Sequence, residues 1–180
     1  MSSFVDENPD SPTSGQETLT EASGNYSVVL NGKSNASAKR SLAHGNRTIA
    51  QGENSHTEGH CTQTIYADEV TNGYAAHAEG YASMAGGTYS HAEGNKTKTA
   101  APNSHAEGYL SITTPEAESA HAEGYETSAE APASHTEGNN TKTHKAYSHA
   151  EGRQTETFGE ASHTEGNETI TEGDYAHAEG

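Results

Sequence analysis

The chain has 180 residues, of which 29% are hydrophobic, with two Phe and no Trp. That is too little apolar material for an ordinary globular core. Nine Lys plus Arg against 26 Asp plus Glu give a net charge of −17 with His neutral, which repels nucleic acid and anionic membrane surfaces and argues against both as partners.

Met1 to Gly24 is rich in Ser, Thr, Glu, Asp and Pro, and residues 1–25 read as a flexible lead segment outside the repeat. This stretch has neither the basic start nor the apolar centre of a signal peptide. No apolar run anywhere reaches membrane-spanning length, so no membrane insertion of this segment is expected. Cys61 is the single cysteine; it allows no internal disulfide and leaves the redox compartment open.

From Tyr26 onward the chain counts. His-Ala-Glu-Gly or His-Thr-Glu-Gly occurs nine times, beginning at His56, His77, His91, His105, His121, His135, His149, His163 and His177, with steps of 21, 14, 14, 16, 14, 14, 14 and 14. Counting back 14 from Gly59 reaches Gly45, after Ser41-Leu42-Ala43-His44, and 14 more reaches Asn31, after Ser27-Val28-Val29-Leu30. Asn is the non-glycine residue that best tolerates a left-handed backbone. Residues 26–180 therefore form one repeat domain of eleven units. Its period, with its wealth of Ser, Thr, Ala and Gly, predicts a thin solenoid rather than a disordered chain.

Within a unit, Ser-His-Ala-Glu reads as a strand with Ser and Ala facing in and His and Glu facing out. The glycine is expected to turn the chain. A second short alternation follows, as in Lys96-Thr97-Lys98-Thr99 and Gln154-Thr155-Glu156-Thr157, with a small residue third and fifth after each glycine. Lys, Gln and Glu alternating with these could not be buried unpaired in so narrow a space, so the small residues fill the interior. Pro102, Pro115 and Pro132 fall in the second turn, where a missing amide donor does no harm. The seven extra residues before His77 and the two before His121 are placed as longer turns, around Ile65 to Tyr74 and Thr113 to Ser119. Tyr89, Tyr147 and Tyr175 stand two before a His and are expected to cover coil edges at the turn. Eleven coils about 4.8 Å apart make a rod roughly 50 Å long.

This pattern resembles the head domain of trimeric autotransporter adhesins, the YadA-like head. That family repeats a 14-residue unit with a core like Asn-Ser-Val-Ala-Ile-Gly, which Ser27-Val28-Val29-Leu30-Asn31, Ser41-Leu42-Ala43-His44-Gly45 and Ser55-His56-Thr57-Glu58-Gly59 fit in register. The resemblance covers Tyr26 to Gly180. It implies an all-β, left-handed parallel β-roll or β-solenoid of 14-residue coils, three chains side by side, and display outside the cell on a cell or virion surface; it implies no ligand. Where the family has apolar residues on the outer face of the first strand, this chain has His and Glu. The trimer axis would be lined by His56, Glu58, His77, Glu79, His91, Glu93, His105, Glu107, His121, Glu123, His135, Glu137, His149, Glu151, His163, Glu165, His177 and Glu179, with Val28, Leu30 and Leu42 as apolar trimer contacts.

His-x-Glu also opens the zinc nucleoside deaminase signature, but that chemistry needs a downstream Pro-Cys-x-x-Cys, which one cysteine cannot supply. No enzyme, catalytic residue or cofactor is expected. Three symmetry-related His at one tier could converge on a transition metal; a His-to-Glu hydrogen-bond ladder that satisfies polar groups is the preferred reading, with no metal site. Pairing with Glu is expected to raise the pKa of these His, so that stability falls as pH rises. The Thr pairs face inward, which argues against ice binding. The functional expectation is a non-enzymatic structural or adhesive fibre domain, self-associating as a homotrimer, with an unknown host or matrix surface ligand as a further partner. The alternatives are a subunit of a filament stacked head to tail through the end coils, and a phage tail fibre segment.

Overall fold

The computed structural model describes residues 20–30, 33–64 and 73–180. It is a parallel β-solenoid of about eleven turns, with strands and no helix among the described residues. Each coil contributes one longer strand and one two-residue strand. The longer strands, from Val28–Leu30 through His91–Asn95 to His177–Glu179, stack in chain order into one eleven-stranded parallel sheet. The short strands form a second parallel wall: Glu21–Ala22, Asn35–Ala36 and Ile49–Ala50 make its first part, and seven strands from Met84–Ala85 to Ile170–Thr171 make the rest. Gln63 bridges the two parts through Ile49 and Met84.

The repeat phrase is the register. His105 lies beside His91 and His121, Ala106 beside Ala92 and Ala122, Glu107 beside Glu93 and Glu123. The amides of the repeated histidines from His56 to His163 donate to a carbonyl of the next coil, as from His91 to Ser104 at 3.0 Å and from His121 to Ser134 at 2.9 Å. The irregular steps leave the sheet intact. His56 pairs directly with His77 across the 21-residue step. Residues 65–72 of that insertion lie outside the described residues. Across the 16-residue step both walls stay paired, His105 with His121 and Ile112 with Ser128, so the two extra residues are absorbed in the turn after Thr113.

The inward and outward faces fall as the alternation requires. Thr48, Ala50, Thr62, Thr64, Ser83, Ala85, Thr97 and Thr99 are buried, as are Ala43, Ala78, Ala92, Ala106 and Ala122 of the longer strands. The interior is one small side chain thick and is partly polar. Some of its hydroxyls are satisfied by a recurring relay across the coil: Thr99 Oγ1 donates to Ser90 Oγ at 3.0 Å, and Ser90 Oγ donates to the Gly87 carbonyl at 2.7 Å. Thr113, Ser104 and Ala101 repeat it at 2.9 and 2.7 Å. Other interior hydroxyls, including those of Thr136, Thr141 and Thr143, have no partner.

Three expectations change. The glycine of the phrase does not turn the chain; it lies inside the longer strand, and the chain turns two residues later, where Arg47, Cys61, Lys96, Leu110 and Glu126 take φ of 55–61°. The glycine is needed for close approach. Gly124 has φ of 113°, and a Cβ there would meet the Gly138 carbonyl oxygen at 2.2 Å. Asn31 lies outside the described residues. Second, the repeat begins before Tyr26, because Glu21–Ala22 pairs in register with Asn35–Ala36. Residues 1–19 of the expected lead segment lie outside the described residues. Third, Tyr89, Tyr147 and Tyr175 project into solvent at the second turn, each with positive φ, and cover little of the roll.

Two substitutions test this interior. Thr113→Val removes a made hydrogen bond at nearly constant volume and is expected to cost about 1 kcal/mol in urea unfolding, whereas Thr141→Val removes an unpartnered buried hydroxyl and is expected to be neutral or stabilising. Gly124→Ala should cost about 2 kcal/mol or more, since both the φ and the next coil oppose a side chain.

Candidate functional site: a histidine and glutamate face

Parallel stacking turns the repeated phrase into two columns on the outer face of the longer-strand sheet. The nine histidine rings from His56 to His177 form one continuous stack, with neighbouring centroids 4.7–4.9 Å apart and planes within 7° of parallel. The spacing is that of the strands themselves. The glutamates two residues on make a parallel column, Glu93 beside Glu107 beside Glu123. Both columns are half-buried by their own neighbours, apart from the more exposed end at His177. All eighteen His and Glu residues expected on one face are brought there. Val28, Leu42 and His56 share one column, and Leu30, His44 and Glu58 the other, so the apolar contacts continue the same face.

Within one chain the hydrogen-bond ladder expected from the sequence does not form. The Nε2 atoms of His56, His91, His121, His135, His149 and His177 sit within 4 Å of a carboxylate of their own strand, that of the preceding coil, or both: His91 lies 3.7 Å from Glu93 and 3.2 Å from Glu79, and His121 lies 3.8 Å from Glu123 and 3.7 Å from Glu107. Of these contacts only His91 to Glu79 closes into a hydrogen bond. The Nε2 atoms of His56, His77, His105, His121, His135, His149 and His163 are covered from solvent and have no hydrogen-bond partner. The cause is geometric: His and Glu of one strand project side by side from the sheet, and rings held parallel by stacking cannot all turn their nitrogens toward a carboxylate. Where carboxylates and nitrogens stand within 4.8 Å of one another, they do so as triplets of two histidines from successive coils and the glutamate of the first, as in His77, Glu79 and His91 or His121, Glu123 and His135.

The expected pKa direction is also reversed. His56, His77, His105, His121 and His149 are held below the ordinary imidazole value, chiefly because burial in the stack penalises the charged ring. Positive charge on neighbouring rings adds to this, while nearby glutamates oppose it more weakly. Glu107 is held above the usual carboxylate range by burial and by repulsion from Glu123 and Glu93. Glu79 is raised by burial first, against the pull of His91.

A second cluster escaped the sequence reading. On the short-strand side, His144 Nδ1 meets Glu130 Oε2 at 2.9 Å and stacks on Phe158 with centroids 4.4 Å apart. Residues 130, 144 and 158 are themselves 14 apart, so the period alone places them in one column. Near the start of the roll, Arg40 pairs with Glu53 at 2.7 Å and donates to Asn54 at 2.6 Å, again across one coil. Glu130 with His144 is a local hydrogen bond tying one turn to the next.

No known protein family and no curated protein matches this chain in sequence.

The lowered histidines fix the sign of a pH test. A folded pKa below the unfolded value of 6.5 means that the unfolded chain takes up protons first as pH falls, so this stability is present above 6.5 and lost below it. Glu79 and Glu107 act oppositely in a lower window, their contribution being present below 4.5 and lost as pH rises through their folded pKa values. Circular dichroism melts in chelator should therefore give a lower Tm at pH 5.5 than at pH 7.5. Replacing both His121 and His149 by Gln should flatten that dependence.

Proposed function

We propose that this chain is a non-enzymatic structural rod, a side-by-side homotrimer of left-handed rolls resembling an adhesin head, serving on a cell or virion surface as a rigid spacer or surface-binding fibre. The observation that carries the reading is the apolar end of the histidine and glutamate face. Val28 and Leu30 are 46% and 48% exposed on an otherwise polar strand column, and they continue into Leu42 and then into the His and Glu columns. A face whose side chains recur at one strand spacing and which ends in exposed apolar residues is suited to a second surface of the same geometry. A roll one small side chain thick has little core of its own, and side-by-side association adds buried area without lengthening the coil. Repetition argues against an enzyme, since the same pair recurs at nine levels with no single position made different from the rest.

Sedimentation equilibrium is expected to give three chains per particle, and Val28→Lys with Leu30→Lys to shift the population toward monomer. A β-rich species that stays monomeric at tens of micromolar would overturn the trimer.

A further inference from the structure

We propose that successive coils of a single chain form binding sites for divalent transition metals, each made of two stacked imidazoles and the glutamate of the first coil. Five such triplets are His77, Glu79 and His91; His91, Glu93 and His105; His121, Glu123 and His135; His135, Glu137 and His149; and His149, Glu151 and His163, each with its donor atoms within 4.8 Å of one another. Three observations support the assignment. The donor set of two imidazole nitrogens and one carboxylate is that of zinc sites which keep an open position for water. In every triplet histidine except His91, whose Nε2 meets Glu79 of its own triplet, the Nε2 makes no hydrogen bond, so the atom that would bind metal is not engaged outside the site. The carboxylates stand in a column one strand spacing apart, Glu93 beside Glu107 beside Glu123, and their ion-pair contacts are to the same histidines. A divalent cation between two coils would offset that repulsion where a neutral ring cannot.

The sites are poised rather than closed. Metal bonds of about 2.0–2.2 Å bring ligand atoms of one site to roughly 3.5 Å apart, so binding must draw two rings about 1 Å together and out of their parallel stack. The side chains of His121 and Glu123 are 33% and 41% exposed, which leaves them room to turn. Because one nitrogen cannot serve two ions, the overlapping triplets cannot all fill. Those of His77, His121 and His149 with their partners share no residue, giving at least three ions per chain. The proposal does not rest on trimerisation, since every ligand of a site comes from one chain.

The experiment uses the full chain without a histidine tag, stripped with EDTA and dialysed. Zinc titration calorimetry and metal analysis of the gel-filtered protein should give about three Zn²⁺ per chain, and Co²⁺ should show the visible absorption of a low-coordinate nitrogen and oxygen site. His135→Gln, which enters two triplets, should lose one whole equivalent per chain. Combining it with His91→Gln and His149→Gln removes a ligand from all five of these triplets and should leave at most one Zn²⁺ per chain; if that variant does not fold by circular dichroism, the single substitution carries the test. Less than one Zn²⁺ on the folded chain, displacement by equimolar Ca²⁺, or more than one equivalent retained by the folded triple variant would overturn the proposal. So would a loss of only one third of an equivalent in His135→Gln, which would place the ion across one tier of three chains instead of between coils.

Discussion

The structure depends on one constraint: each strand residue lies one strand spacing from its counterpart in the next coil, 14 positions on in most coils, held by parallel backbone hydrogen bonds from coil to coil. Side chains cannot choose their neighbours in such an arrangement. Whatever property a position has is multiplied along the rod, so a threonine becomes a hydroxyl column, a histidine a ring stack and a glutamate a row of like charges. The energetics of the molecule are those of columns rather than of individual contacts.

The columns differ in how well they tolerate repetition. Inside, Ala and Thr alternate with little cost, because methyl groups pack and many hydroxyls pass a hydrogen bond to Ser and then to a turn carbonyl. The glycine column is the tightest, since successive backbones there approach too closely for any side chain. Outside, the glutamate column is unfavourable by itself. The neighbouring rings relieve it only in part, because burial in their own stack keeps several of them from carrying charge. The outer face thus combines well-ordered geometry with incomplete polar satisfaction. That combination connects the trimer reading with the metal reading: each supplies partners that the isolated coil does not have.

The same constraint explains how insertions are carried. His56 and His77 meet in register although 21 residues separate them, and the two walls of the 16-residue coil stay paired on either side of the turn that contains Pro115. Extra residues can leave at a turn without disturbing the ladder, whereas a shift inside a strand would move every column by one place and expose the interior.

The sequence by itself determined the period, the two-strand coil, the inward Ser, Ala and Thr, and the single face shared by His56 to Glu179, because parallel in-register stacking makes equal spacing in sequence equal to adjacency in space. It misplaced the turn, since a repeated glycine marks a close backbone approach as readily as a bend. It also missed Glu21–Ala22, whose letters match no phrase although its backbone pairs. What only the tertiary structure decided was the state of the face. Whether a histidine nitrogen reaches a carboxylate depends on ring orientation, and here ring against ring at one strand spacing sets that orientation. Burial in the stack, a product of all nine coils together, then sets the direction of the pKa shift against the pull of the nearest glutamate.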